Sequence, residues 1–101
     1  MRLDMFFPNQ NRHVRFLMGL YLNRKRNEQG LSLQEVASQV GLTPQSYKRI
    51  ESGGKKIDDT LFEKIQSLIA IEPEDLNEIR RIAAIRFVND LSKAFASNYP
   101  L

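Results

Sequence analysis

The sequence contains no cysteine, a single histidine and no apolar run long enough to cross a membrane. Without cysteine, neither a disulfide framework nor a thiolate metal site is possible. His13 stands beside basic residues, and no Ser/His/Asp or metal-binding constellation can be assembled around it. These absences predict a protein that is not an enzyme, needs no cofactor or metal, and has no membrane partner. Because the N-terminus lacks a signal-peptide layout, we expect a cytoplasmic protein.

The charge of the chain is unevenly distributed along its length. Its 101 residues fit one small domain, and the formal net charge is only +3. Up to Ile57 there are ten basic residues against four acidic ones, whereas from Asp58 onward there are five against eight. Such asymmetry indicates that the first half of the chain binds a polyanion. A chance fluctuation on a solvated surface is the alternative.

Residues 30–53 predict two short helices joined by a tight turn. Ser32 precedes an apolar helical stripe and lies at capping-box spacing from a glutamate. Gly41 ends this first helix, since glycine adopts the left-handed conformation without strain. Thr43 is a good N-cap for the second helix, and Pro44 occupies the first helical position, where no amide donor is lost.

The second helix of this pair has a polar outward side. Its apolar residues, Tyr47 and Ile50, are expected to face the core. That leaves four polar residues outward, namely Gln45, Ser46, Lys48 and Arg49. An α-helix fits the DNA major groove, where glutamine and arginine can make bidentate contacts with base edges. An ordinary helical hairpin is the alternative interpretation.

Residues 14–76 resemble the Cro and phage-repressor class of helix-turn-helix domain, the Xre family. The landmarks of the resemblance, in order, are Gly19, Leu22, residues 26–30, Leu31, Ser32, residues 35–37, residues 40–43, residues 50–53, Leu61 and Ile65. The resemblance implies an all-α, five-helix, lambda-repressor-like fold that binds double-stranded DNA. Two positions depart from the family pattern: Leu33 replaces a frequent glutamine, and Ile57 replaces a frequent proline.

The same resemblance implies roles for individual residues. Base reading is expected from Pro44, Gln45 and Arg49. Contacts with the DNA backbone are expected from Thr43, Ser46, Lys48, Lys55 and Lys56. Arg26, at the end of the first long helix, is expected to form a structural ion pair with Glu51, at the end of the recognition helix.

The chain divides into an N-terminal arm (1–10), a helix-turn-helix domain (11–72) and a C-terminal helix (73–101). We expect the arm to be extended or irregular. The C-terminal helix carries more than one apolar stripe, and we predict that its excess residues, Ile85, Val88, Leu91 and Phe95, form a homodimer contact. Burial of this helix on two sides within one chain is the alternative.

Together these features predict a sequence-specific transcriptional regulator. The preferred form is a dimeric repressor whose two recognition helices enter successive major grooves of a pseudo-palindromic operator. The alternative is a protein-interaction module of the same fold, such as an antitoxin or an anti-repressor. In that case the arm, through Phe6 and Phe7, and the C-terminal helix would cover a protein partner such as a toxin.

Overall fold

The computed structural model describes residues 2–98, which form six helices and no strand. In chain order the helices are α1 (Leu3–Phe6), α2 (Arg12–Glu28), α3 (Leu33–Gln39), α4 (Pro44–Glu51), α5 (Asp59–Gln66) and α6 (Pro73–Asn98). The predicted all-α, helix-turn-helix fold is therefore confirmed. The five predicted helices are α2 to α6, and the four-residue α1 is an addition.

Four consecutive helices begin at a residue whose side chain accepts a hydrogen bond from a backbone N–H of the first turn. These N-caps are Asn11 for α2, Ser32 for α3, Thr43 for α4 and Asp58 for α5. A cap of this kind satisfies an orphan donor and stabilises a helix by about 1 kcal/mol. The start of each of these helices is therefore determined by residues that are adjacent in the sequence.

A single hydrophobic core joins all six helices, with α2 packed between α4 and α6. Burial of one large apolar side chain contributes about 1.5–3 kcal/mol to folding. The largest fully buried side chains are those of Tyr47, Phe62, Leu3, Leu22, Ile50, Ile65, Ile69, Leu76 and Val36. Because these residues come from every helix, α3 and α4 are part of the core rather than an appendage.

Helices α2 and α4 approach each other so closely at Gly19 that no side chain fits between them. A Cβ atom at this position would lie 2.3 Å from the carbonyl oxygen of Glu51 and 2.8 Å from that of Ile50. Both of these atoms belong to the backbone, so no side-chain rotation could relieve the clash. Glycine at this position therefore sets the distance between α2 and α4.

The N-terminal arm was expected to be extended or irregular, but residues 3–6 form a short helix. Leu3–Phe6 forms α1, and Leu3 and Phe7 are buried in the common core. The backbone N–H of Asp4 also donates to the carboxylate of Asp59 at the start of α5. An isolated four-residue helix is unstable in water, so its packing on the body must stabilise it. Met5 remains exposed.

Helix α6 runs antiparallel to α2 and is joined to it by polar contacts at two places. Near the start of α6, the Tyr21 hydroxyl donates to Asp75 at 2.7 Å. Burial, together with this hydrogen bond, raises the pKa of Tyr21 to about 12. Further along, Asp90 contacts His13 at 2.8 Å and also Arg12, at the first turn of α2. The residues after Asp90 consequently extend beyond the N-terminal end of α2.

None of the helices in residues 2–98 is both long enough and apolar enough to cross a membrane.

Candidate nucleic-acid interface

The turn between α3 and α4 is held by backbone hydrogen bonds and one left-handed residue. Gly41 has a φ of 77°, a conformation that strains residues with a Cβ. The N–H of Leu42 donates to the carbonyl of Ala37 at 2.9 Å, closing the turn. Val40 is buried beneath it and Leu42 is half-buried. The angle between the two helices is therefore fixed by both hydrogen bonding and packing.

Helix α4 is divided into a buried side and an exposed side. Tyr47 and Ile50 are buried almost completely, and Glu51 is buried beside them. The residues of the exposed side are Thr43, Pro44, Gln45, Lys48 and Arg49, and Ser46 is half-buried at its edge. These six residues are the ones at this helix that the sequence predicts to contact DNA. They lie on one continuous surface.

Two long polar side chains on this surface are spaced by one helical turn. Gln45 and Arg49 are four residues apart, so they lie one above the other on the same face. At the start of the helix, the Thr43 oxygen accepts from the N–H of Ser46 at 3.1 Å. A hydroxyl also has a proton to donate. The Thr43 hydroxyl is therefore able to cap the helix and to donate to an anion at the same time.

The loop from α4 to α5 adds two lysines to the basic surface. Lys55 is half-buried and Lys56 is exposed. The loop begins at Gly53, whose φ of 83° is in the left-handed region. A Cβ at Gly53 would also lie 2.9 Å from the Cα of Phe16. The close approach of α2 therefore fixes where this loop begins.

Arg26 and Glu51 form a bidentate ion pair in the interior. The Arg26 Nε donates to Glu51 at 2.7 Å and its Nη2 donates at 3.0 Å. Arg26 also donates to the carbonyl of Leu31 at 2.9 Å, and Asn23 donates to Glu51 at 2.9 Å. The pair joins the end of α2 to the end of α4, and both side chains are less than a tenth exposed.

The surroundings of this pair shift the pKa values of three groups. Burial raises the pKa of Glu51, but the hydrogen bonds from Arg26 and Asn23 outweigh burial, and the net shift is downward. The hydrogen bond with Glu51 raises the pKa of Arg26. Burial, reinforced by the nearby Glu51 carboxylate, raises the pKa of Tyr47. The charged forms of the pair are therefore favoured in the folded protein.

Three polar residues that shape this region were not identified from the sequence. Gln10 and Arg15 bind the backbone of the α4–α5 loop, and Asn23 binds Glu51. The His13 side chain is only 15% exposed and contacts Asp90. These contacts join residues more than 25 positions apart in sequence. No local pattern marks such pairs, so only the folded structure identifies them.

The chain also offers no evident metal centre in the region that the structure describes. Among residues 2–98, no three side chains of His, Asp or Glu come together in a way that could hold a metal ion. The exposed chemistry of the α3–α4 surface is instead that of hydrogen-bond donors and positive charge.

Comparison with known proteins agrees with this geometry. A family model described as "Helix-turn-helix" matches residues 22–76. The fold resembles the crystal structure of the clp gene regulator ClgR from Corynebacterium glutamicum, with a TM-score of 0.61 and 20% sequence identity over 87% of this chain and 96% of that one. No curated protein matches the sequence. Since the family match spans more than half of its length, the chain belongs to the Cro/C1-type, Xre-like helix-turn-helix family of DNA-binding regulators.

Proposed function

We propose that this protein is a sequence-specific transcriptional regulator that acts as a dimeric repressor in the cytoplasm. The observation that carries the proposal is the division of α4. Its inward side is buried in the core, whereas its outward side presents Gln45, Lys48 and Arg49 to solvent. A short, rigidly held helix with such a face suits insertion into the major groove.

Individual contacts follow from the positions of the side chains on α4. Pro44, Gln45 and Arg49 are proposed to read base edges, with Gln45 suited to adenine and Arg49 to guanine. The residues proposed to contact the DNA backbone are Thr43, Ser46, Lys48, Lys55 and Lys56. Contacts with the DNA backbone determine register and affinity, whereas contacts with base edges determine sequence preference.

Replacing Arg49 by alanine should weaken binding to the preferred duplex by about 1–3 kcal/mol, because one bidentate base contact is lost. Binding to an unrelated duplex should fall far less. Arg80→Ala is the matched control, since Arg80 is an exposed arginine on α6. Fluorescence anisotropy with both duplexes measures the two effects. Equal weakening on both duplexes by Arg49→Ala would mean that Arg49 contacts only phosphate.

The proposed dimer interface lies on the second half of α6. Ile85, Val88, Leu91 and Phe95 are between 43% and 59% exposed. The buried Ala83, and Asp90, which contacts His13 of α2, lie on the other side of the helix. A surface of this kind, with large apolar residues on consecutive turns, is typical of a protein–protein contact. We propose that a second copy of the chain covers it.

Dimerisation would supply the binding affinity that one small recognition helix lacks. Two copies related by a two-fold axis would place their α4 helices in major grooves about 34 Å apart. The operator would then be a pseudo-palindrome. Because both half-sites bind together, the second contact benefits from a high effective concentration. Occupancy of such a site within a promoter would block transcription, which is the proposed basis of repression.

Val88→Glu should convert the protein to a monomer, because a charge would be buried against apolar residues of the second copy. Asn77→Glu is the matched control, since Asn77 is exposed on the same helix but lies about two turns before Ile85. Sedimentation velocity should give a dimer for the wild type and Asn77→Glu, and a monomer for Val88→Glu. A monomeric wild type at micromolar concentration would contradict the proposed interface.

A protein-interaction module, such as an antitoxin or an anti-repressor, is the second candidate. The exposed apolar residues of α6 favour it as much as they favour a dimer. The N-terminal arm supports it less, because Phe7 is buried and Phe6 is half-buried. A toxin or other partner would therefore have to bind α6. If the wild type is monomeric and binds no DNA, this second candidate becomes the better one.

A further inference from the structure

The α4–α5 loop, which carries Lys55 and Lys56, is attached at both ends to side chains from the start of the chain. It lies between two helices and forms no regular secondary structure. Backbone groups in such a loop need partners from elsewhere. Here the partners are Gln10, just before α2, and Arg15, in the first turns of α2.

Gln10 fixes the far end of the loop through both atoms of its amide. Its Nε2 donates to the carbonyl oxygen of Ile57 at 2.6 Å, and its Oε1 accepts from the N–H of Ile57 at 2.9 Å. Two hydrogen bonds to one residue fix its orientation as well as its position. Ile57 is itself buried. The backbone next to Lys56 is therefore held in a single arrangement.

Arg15 fixes the near end of the loop and connects it to the first attachment. Its Nε donates to the carbonyl oxygen of Gly53 at 3.1 Å, and its Nη1 donates to the carbonyl oxygen of Gln10 at 2.7 Å. The planar guanidinium holds these two donors in a fixed geometry. The chain from Gly53 to Ile57 is thus attached at both ends to one small unit, formed by Gln10 and Arg15.

We propose that Gln10 and Arg15 are positioning residues for the DNA-backbone contacts of Lys55 and Lys56. Neither residue needs to touch DNA: they hold the loop so that both lysines meet phosphates without a further loss of conformational freedom. This inference rests on the proposed function, since it assigns the loop to a DNA-binding surface. It gives the N-terminal segment a role in binding as well as in folding.

The test is the salt dependence of DNA binding by Gln10→Ala. Each phosphate contact contributes about 0.9 to the slope of log Kd against log salt concentration. If both lysines lose their positions, the slope should fall by nearly twice that amount. If the affinity at about 1 M salt is unchanged, this change in slope corresponds to a loss of affinity of about eightfold per contact at about 0.1 M salt. Circular dichroism at the assay temperature verifies that the variant is folded.

Gln29→Ala is a closely matched control. Gln29 makes the same pair of bonds, donating to Leu68 at 2.8 Å and accepting from Ala70 at 2.7 Å, but it fixes the α5–α6 loop. Its loss should leave the salt slope unchanged. If Gln10→Ala does not fold, Arg15→Lys takes its place, because lysine keeps the charge but not the two fixed donors.

A double substitution of the lysines separates positioning from general stability. Lys55→Ala combined with Lys56→Ala should lower the slope by itself, and adding Gln10→Ala should lower it no further. An unchanged slope in Gln10→Ala, or a loss that adds to that of the lysines, overturns the inference while leaving DNA binding intact. Absence of DNA binding by the wild type would instead overturn the proposed function.

Discussion

Gly19→Ala should be the most damaging single-methyl substitution in the protein. The new Cβ would lie 2.3 Å from the carbonyl oxygen of Glu51, so α2 and α4 would have to move apart. Overpacking that displaces backbone costs about 3 kcal/mol or more. Since small domains have a total stability of only about 5–15 kcal/mol, we expect a large loss of melting temperature and of DNA affinity.

Gly54→Ala provides the control for this substitution. A Cβ at Gly54 would lie 3.6 Å from the nearest backbone atom, the carbonyl oxygen of Arg49, which is an ordinary van der Waals distance. Its thermal melt should stay close to that of the wild type. If Gly19→Ala melts at the same temperature as Gly54→Ala, the close contact between α2 and α4 is not present in solution.

Arg26→Ala should lower the free energy of unfolding by about 3–5 kcal/mol, because it leaves the buried Glu51 carboxylate without its cation. Chemical denaturation measures the change. DNA affinity should fall as well, since the pair holds the end of α4 on α2. The double variant Arg26→Met with Glu51→Leu should recover most of the stability, because it removes both charges together.

The pH dependence of stability gives an independent check of this ion pair. The pKa of Glu51 in the folded protein lies below its ordinary value of 4.5. The unfolded chain therefore takes up the proton first as the pH falls. The stabilisation is fully present above pH 4.5 and is lost as the pH falls through the folded-state pKa of Glu51. The stability difference between wild type and Arg26→Ala should shrink in that range, and a constant difference would argue against the pair.

Features encoded by neighbouring residues could be predicted from the sequence. Ser32 and Thr43 mark helix starts because an N-cap acts within its own first turn. Gly41 marks the turn because the left-handed conformation favours glycine. The exposed side of α4 followed from helical periodicity alone. Each of these inferences needs only a few consecutive residues.

Features that depend on contacts between distant segments could not be predicted in the same way. The arm was expected to be extended or irregular, and four residues do not form a stable helix alone. It is helical because Leu3 and Phe7, one turn apart, enter a core built by other helices. Gln10 and Arg15 carry no local sign of their role, since their partners lie 38 to 47 residues away.

The central proposal is that α4 reads a DNA sequence as one half of a dimer. Its most direct test is selection of bound duplexes from a random pool with the purified protein. We predict an enriched inverted repeat, with half-sites about one helical turn apart. Salt-sensitive binding without any enriched sequence would contradict it, because phosphate attraction alone would then explain the affinity.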